Sequence, residues 1–89
     1  MARIEVKQKD TDTFEITVTE TTTTTHLVTL SKDYYQKLTG SKVSPETLIE
    51  KSFEFLLERE SNTMILARFD LPVIDDYFPE YEKNIVKRF

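Results

Sequence analysis

The chain has 89 residues, no cysteine, and a net charge of −4 that arises from 16 acidic and 12 basic side chains. This length suits a single domain, residues 1–89, and the lack of cysteine excludes disulfides and thiolate metal sites. The negative excess lies in residues 45–89, which carry ten acidic and six basic residues, and this charge disfavours nucleic acid as a partner. The opening residues lack the apolar run of a signal peptide, and no stretch is apolar over the length of a membrane span, so we expect a cytoplasmic protein without membrane contact.

The first twenty residues alternate polar and apolar side chains with a period of two, which is typical of strands that bury one face. An antiparallel hairpin with a turn at residues 10–12 directs all of these apolar side chains toward the helices, and Asp12 tolerates the left-handed conformation that such a turn often needs. We expect Glu5, Glu15 and Thr17 to face solvent. The pairs in this register are Ile4 with Val18, Val6 with Ile16, and Gln8 with Phe14.

A run of five threonines, Thr21–Thr25, leads into the apolar segment His26–Leu30. Threonine favours strands because its branched Cβ suits a pleated surface. This segment either forms a second hairpin, centred on Thr23, or pairs with the same strand of a second chain. His26 has the phase of the apolar residues around it, so we interpret it as a buried structural histidine. The pairs of the second hairpin would be Val18 with Val28 and Ile16 with Leu30.

Two helices follow, and capping residues mark where they begin. Ser31 is an N-cap for a short helix that stops at Thr39–Gly40, where the only glycine of the chain suits a helix C-terminus. Ser44, Pro45 and Glu46 combine a cap, a proline at the first position and an acid in the first turn, and the helix they begin should run to about residue 60. One apolar arc of this helix spans roughly 200°, which is wider than a single sheet face covers, so the helix is packed on two sides or contacts another chain. The residues on the arc are Leu48, Ile49, Ser52, Phe53, Phe55, Leu56 and Leu57.

The sequence pattern after residue 60 predicts three short helices. The first covers Thr63–Phe69, the second begins near Pro72 with Asp70 as its cap, and the third starts at Pro79. Their aromatic and aliphatic side chains would cover the far side of the long helix, which slightly favours a monomer over a homodimer. Strands that precede helices indicate an α+β fold, here an N-terminal antiparallel β-meander of two or three strands followed by four or five helices.

The sequence shows no constellation of catalytic or ligand-binding residues. His26 is the only histidine, so no histidine pair can bind a metal within one chain, and one glycine cannot supply a phosphate-binding loop. We therefore expect no enzymatic activity, no cofactor and no metal. A stripe of acidic side chains at i, i+4 spacing is either a solvated face or a docking surface for a basic partner. The stripe consists of Glu50, Glu54 and Glu58.

Two short signatures in the second half carry a family resemblance. They are Phe55–Glu60, with the sequence FLLERE, and Tyr77–Tyr81, with the sequence YFPEY. With these signatures, and with Thr25–Thr29 as an earlier anchor, the chain resembles a family of small uncharacterised bacterial proteins. The resemblance implies a bacterial source and a shared fold, and it implies no particular function.

Residues 26–59 also resemble ribbon-helix-helix DNA-binding proteins in the order of their predicted elements. In that family, two strands pair across a dimer axis and place alternating side chains in the major groove. This resemblance implies that any DNA contacts would come from one strand and from the N-terminus of the long helix. The residues concerned would be Thr25, Leu27, Thr29 and Ser44.

The lack of catalytic residues and the wide apolar arc favour a non-catalytic protein-interaction module. The alternative is a DNA-binding transcriptional regulator of the ribbon-helix-helix type. The sequence identifies neither the partner protein nor the biological role.

Overall fold

The computed structural model describes residues 3–89. A four-stranded sheet is combined with four α-helices and two short 3-10 turns, Asn62–Met64 and Val86–Arg88. The strands are β1 (Arg3–Gln8), β2 (Thr13–Thr19), β3 (Thr23–Thr29) and β4 (Arg68–Asp70). The helices are α1 (Lys32–Thr39), α2 (Pro45–Leu57), α3 (Val73–Tyr77) and α4 (Tyr81–Ile85).

The first hairpin has the register that the alternation predicts. Strands β1 and β2 are antiparallel, and Ile4 is paired with Val18, Val6 with Ile16, and Gln8 with Phe14. Toward the helices, the β2 side chains of this face are buried, whereas in β1 Ile4 and Val6 are half-buried and Gln8 is exposed. On the other face, Glu5 is exposed, whereas Glu15 and Thr17 are half-buried. Within residues 3–89, only Gly40 and Ser41 have positive φ, so the turn forms without the left-handed conformation expected of Asp12.

The second hairpin forms within the chain, and its predicted register is wrong by four residues. Ile16 is paired with His26 rather than with Leu30, because the turn lies at residues 20–22 and the later threonines extend β3. The Glu20 N–H donates to the Thr22 carbonyl over 3.0 Å and closes this turn. A shift of four residues is even, so each side chain stays on its predicted face. His26 is accordingly buried, at 2% exposure.

The predicted fold class is wrong in its sheet, because a fourth strand lies among the helices. The sheet is mixed, in the order β1-β2-β3-β4, and β4 runs parallel to β3. The segment predicted as a helix, Thr63–Phe69, contains only the end of a 3-10 turn before it extends into β4. Hydrogen bonds from Leu27 N–H to the Ala67 carbonyl, at 2.8 Å, and from Leu71 N–H to the Thr29 carbonyl, at 2.9 Å, hold it against β3. Asp70 belongs to this strand and does not cap α3, whose N-cap position is Pro72.

The capping residues predicted for the first two helices are confirmed. The Ser31 hydroxyl accepts from the Tyr34 N–H, and Gly40 ends α1 in the left-handed conformation with φ 57°. The Ser44 hydroxyl accepts from the Thr47 N–H over 3.1 Å at the start of α2. Helix α2 stops at Leu57, three residues before its predicted end. Residues 58–61 therefore leave the helix and lead the chain toward β4.

The wide apolar arc of α2 is covered from two sides by the chain itself. Toward the sheet, the Phe53 ring lies 5.5 Å from His26 and 6.1 Å from Phe69. On the far side, the Phe55 ring meets Tyr81 of α4 edge-on at 5.3 Å. The Tyr81 hydroxyl also forms a 2.6 Å hydrogen bond with Ser52. The C-terminal segments thus cover the side of α2 that the sheet leaves uncovered, as the sequence predicts. Among residues 3–89, no helix combines the length and the apolar character needed to cross a bilayer.

Candidate functional site

An open groove of about 400 Å³ lies where the end of α2, the segment before β4, and α3 meet. We call it the β4 groove. The side chains that line it are apolar apart from one glutamate and one tyrosine. The residues that line it include Glu60, Met64, Leu66, Phe69, Tyr77 and Phe78.

Large exposed apolar side chains are concentrated in this groove. Met64 is 68% exposed, Leu66 45% and Tyr77 64%, and all three line it. In the described part of the chain, the remaining large exposed apolar residues are Val86 and Phe89, near the C-terminus. Scattered apolar residues at a surface are ordinary, but several that share one concave site mark a place where another molecule binds.

The wall of the groove before β4 is fixed by contacts from the sheet. The carbonyl of Leu66 accepts a 2.8 Å hydrogen bond from Nδ1 of His26, so that nitrogen carries the proton. The other ring nitrogen lies 2.8 Å from the hydroxyl of Thr24. Asn62, at the start of the same segment, is buried and donates to the carbonyls of Val18 and Thr22. The apolar side chains of Met64 and Leu66 are exposed because their backbone is held in this position, and not because the segment lacks contacts.

Glu60 places a carboxylate in the apolar wall without a counterion. The residue is half-buried, and no side chain in residues 3–89 forms an ion pair or hydrogen bond with its carboxylate. Burial raises the pKa of Glu60 above its ordinary value, because desolvation disfavours the ionised form. Glu58 differs, since hydrogen bonds from Arg88 at 2.7 and 2.9 Å lower the pKa of its carboxyl. Glu60 thus carries an uncompensated charge at a concave apolar surface.

We expect Glu60→Gln to make the protein slightly more stable near neutral pH. The folded-state pKa of Glu60 lies above the unfolded-state value, so the ionised carboxylate destabilises the fold, and this penalty disappears as the pH falls through the folded-state pKa. The gain in melting temperature should therefore be present at about pH 7 and shrink toward zero near about pH 4, the ordinary range of a glutamate. Thermal melts of the two proteins across this range test the prediction, and Glu50→Gln is the control. A gain that is the same at both ends of the range would contradict it.

The outer edge of β4 lies beside the groove and has unpaired backbone groups. In a parallel ladder, alternate residues direct their N–H and C=O toward the neighbouring strand. Ala67, Phe69 and Leu71 bond to β3, so the N–H and C=O groups of Arg68 and Asp70 point outward. Both of these residues are exposed. An exposed strand edge of this kind can accept a further strand.

The acidic stripe predicted as a docking surface is partly neutralised within the chain. Glu58 is bound by Arg88, and Glu54 lies 3.7 Å from the ammonium of Lys51. Glu50 is half-buried and makes no ion pair with any residue that the structure describes. The three carboxylates lie on α2 as predicted, but they do not form one surface of unpaired charge.

The residues implied by the ribbon-helix-helix resemblance are divided between two layers. Thr25, Leu27 and Thr29 lie on the sheet face that points away from α2, whereas Ser44 begins α2. Strand β3 is hydrogen-bonded to β2 on one side and to β4 on the other. Both of its edges are therefore occupied within the chain, and it has no edge left for a strand from a second molecule.

Sequence reasoning missed the groove because it assigned its residues to buried helix faces. A signal was present in the apolar triplet Met64-Ile65-Leu66, since three consecutive apolar residues cannot all point into one core. Ile65 is buried at 7% exposure, and its two neighbours are exposed. No group of three or more metal-binding side chains is brought together in the described residues.

No family model matches the chain, and comparisons with curated proteins and with solved structures give no match. The two resemblances drawn from the sequence thus stay predictions.

Proposed function

We propose that this protein is an interaction module that binds a segment of another protein in the β4 groove, and that it acts by binding rather than by catalysis. The observation that carries the proposal is the convergence of Met64, Leu66 and Tyr77, each at least 45% exposed, on one concave surface. These side chains would release water when they bind an apolar partner, and that release is the main driving force of protein association.

A polypeptide fits this groove better than a small molecule does. Sites for small molecules usually enclose the ligand and present several convergent polar groups. The β4 groove is open, and the polar side chains that line it are those of Glu60 and Tyr77. It adjoins the outward-facing backbone of Arg68 and Asp70, which a peptide backbone can satisfy with hydrogen bonds.

Charge complementarity defines the chemistry of the partner segment. The half-buried Glu60 carboxylate has no cation beside it in residues 3–89. A lysine or arginine in the partner would neutralise it in a partly desolvated site, where the interaction is stronger than at an open surface. The proposed partner is thus a segment with apolar side chains and at least one basic residue.

A selection from a phage library of random dodecapeptides tests the proposal. The protein should enrich peptides that combine apolar and basic residues, and Leu66→Ser should abolish that enrichment because it places a hydroxyl in the apolar wall. Val86→Ser is the matched control, since Val86 is also 45% exposed but does not line the groove. This variant should enrich the same peptides as the parent protein.

Two results would contradict the proposal. One is a selection in which no peptide is enriched above an empty surface. The other is a dimer, seen by sedimentation equilibrium, that Leu66→Ser dissociates and Val86→Ser does not. The groove would then be the contact between two copies of the chain.

A further inference from the structure

We infer that the partner segment binds as an additional β-strand on the outer edge of β4, with alternate side chains in the β4 groove and a basic side chain beside Glu60. This inference rests on the proposed function and deepens it, because it states the conformation and the charge of the segment that the module recognises.

The backbone of β4 offers the hydrogen bonds that an added strand needs. Strand β4 is an edge strand, and its Phe69 is committed to β3. Arg68 and Asp70, on either side, direct their N–H and C=O groups to the open edge, and both residues are exposed. Backbone bonds to such an edge give affinity, and pockets for alternate side chains give specificity.

The side chains of an added strand would alternate between two different surfaces. Phe69 points into the groove, whereas Arg68 and Asp70 lie on the opposite face of the sheet. Every second side chain of the new strand would share the side of Phe69 and enter the apolar groove. The three residues of β4 span about 10 Å at about 3.3 Å per residue, so one or two groove-facing side chains of the partner would lie opposite β4 itself.

The other edge of the sheet lacks this combination. Strand β1 is also an edge strand, but its inward side chains Ile4 and Val6 pack against the core of the protein itself. Its outward face is charged, with an ion pair of 3.0 Å between Arg3 and Glu5, and the outward residues Arg68 and Asp70 of β4 are charged as well. The two edges therefore differ in the groove and not in their charged faces. At β4, an exposed backbone edge and an apolar groove lie side by side.

Glu60 sets the charge of the added strand. The arginines near the end of α2 are already engaged, since Arg88 binds Glu58, and Arg59 binds Glu80 at 3.1 Å. The Glu60 carboxylate lines the groove without such a partner, so a basic residue in the groove-facing phase of the ligand would pair with it. Basic residues at the alternate positions of the ligand would lie on the other face of the sheet, where they would not pair with Glu60.

The test uses a defined probe, the capped heptapeptide Thr-Val-Thr-Leu-Thr-Lys-Thr, titrated into the ¹⁵N-labelled protein. It is compared with the same peptide carrying glutamate in place of lysine. Two further versions of the peptide carry N-methyl groups on alternate backbone nitrogens. One is methylated at the threonines in positions 1, 3 and 5, and the other at the valine, leucine and lysine in positions 2, 4 and 6. A strand pairs through alternate N–H groups, so one N-methylated version should lose binding at least about tenfold and the other should keep it.

We expect the amide protons of Arg68 and Asp70 to become protected from hydrogen exchange when the heptapeptide binds. The amide of Phe69 serves as the internal control, because its bond to β3 exists in both states. The glutamate peptide should bind about fivefold more weakly to the parent protein, a loss of the size expected for one ion pair. That difference should vanish in Glu60→Gln.

The outcomes separate this inference from the proposed function. If the peptide binds, Leu66→Ser abolishes binding, and yet Arg68 and Asp70 stay unprotected, the groove binds peptides but strand addition is wrong. Equal tolerance of both N-methylated versions would overturn strand addition in the same way. If the heptapeptide fails and a library-selected peptide binds, the exchange of the same two amides decides on that peptide. If neither kind of peptide binds, the proposed function fails and this inference fails with it.

Discussion

Phe53→Ala is expected to destabilise the protein by about 3–5 kcal/mol, the range measured for truncating a buried phenylalanine. Phe53 is fully buried at the centre of the core, where its ring contacts His26 on one side and Phe69 on the other. At about 0.05–0.15 kcal/mol per residue, a domain of this length has roughly 4–13 kcal/mol of total stability. The truncation would thus remove a large share of the stability, and near the lower end of that range it would leave a substantial unfolded population.

Urea denaturation followed by circular dichroism measures this loss. Met64→Ala is the control, because Met64 is 68% exposed and its truncation should change the free energy of unfolding by less than about 0.5 kcal/mol. The same variant should weaken peptide binding, which separates the role of the core from that of the groove. Equal stability losses in the two variants would show that Phe53 is not at the centre of the core.

The first hairpin was predictable because alternation determines the buried face and the turn at residues 10–12 determines the register. Its apolar residues recur at every second position in both strands, so a slip of one residue would expose all of them. The pairing of Ile4 with Val18 follows from that pattern together with the short turn. Capping was predictable for a similar reason, since Ser31 and Ser44 act on backbone groups only three residues away.

The register of the second hairpin was not predictable from local pattern. Threonines occupy both faces of β3 at Thr23–Thr25, so they do not distinguish between registers that differ by an even number of residues. The observed turn is held by Asn62, which lies about 40 residues further along the chain. A contact over such a distance leaves no trace in the sequence near the turn.

Strand β4 was missed because it is too short to show a period. Its three residues, Arg68–Asp70, lie next to an apolar run that fits a helix equally well. What decides its conformation is the edge of β3, where Leu27 and Thr29 bond to the incoming chain. Tertiary context of this kind overrides a weak local propensity.

The candidate site was hidden for a related reason. The groove exists only because α2 ends at Leu57 and the chain then turns away, whereas the sequence predicts that the helix continues to residue 60. In that predicted helix, Glu60 is one more acidic residue on a solvated helix. In the structure, it stands alone in an apolar wall. The acidic stripe of α2 was inferred from helical spacing. That spacing cannot show that Arg88, which lies 30 residues further along the chain, binds Glu58.

Asn62→Leu is expected to cost about 2–4 kcal/mol. The buried Val18 carbonyl would lose its side-chain donor, at about 1–3 kcal/mol, and the Thr22 carbonyl, which keeps the Glu20 N–H, would lose one hydrogen bond worth about 0.5–1.5 kcal/mol. The side-chain amide donates to the Val18 carbonyl at 3.2 Å and to the Thr22 carbonyl at 2.9 Å. Leucine has a similar volume, so the change removes the hydrogen bonds without opening a cavity. Because Asn62 joins the second hairpin to the segment before β4, the groove should also lose its shape, and peptide binding should weaken together with stability.

Asn84→Leu provides the matched control for this change. Asn84 is half-buried, and its side chain accepts one hydrogen bond, 2.9 Å long, from Arg88. Asn84 lies in α4, and none of the described residues of the β2–β3 turn forms a hydrogen bond with its side chain. The substitution should therefore cost about 0.5–1.5 kcal/mol, the usual net value of one hydrogen bond, and leave peptide binding unchanged. Urea denaturation gives the two stabilities, and exchange of the Glu20 amide, which donates to the Thr22 carbonyl, reports on the turn. If Asn62→Leu costs no more than Asn84→Leu and the turn keeps its protection, then the hairpin turn is stable on its own, and the link from Asn62 to the groove is wrong.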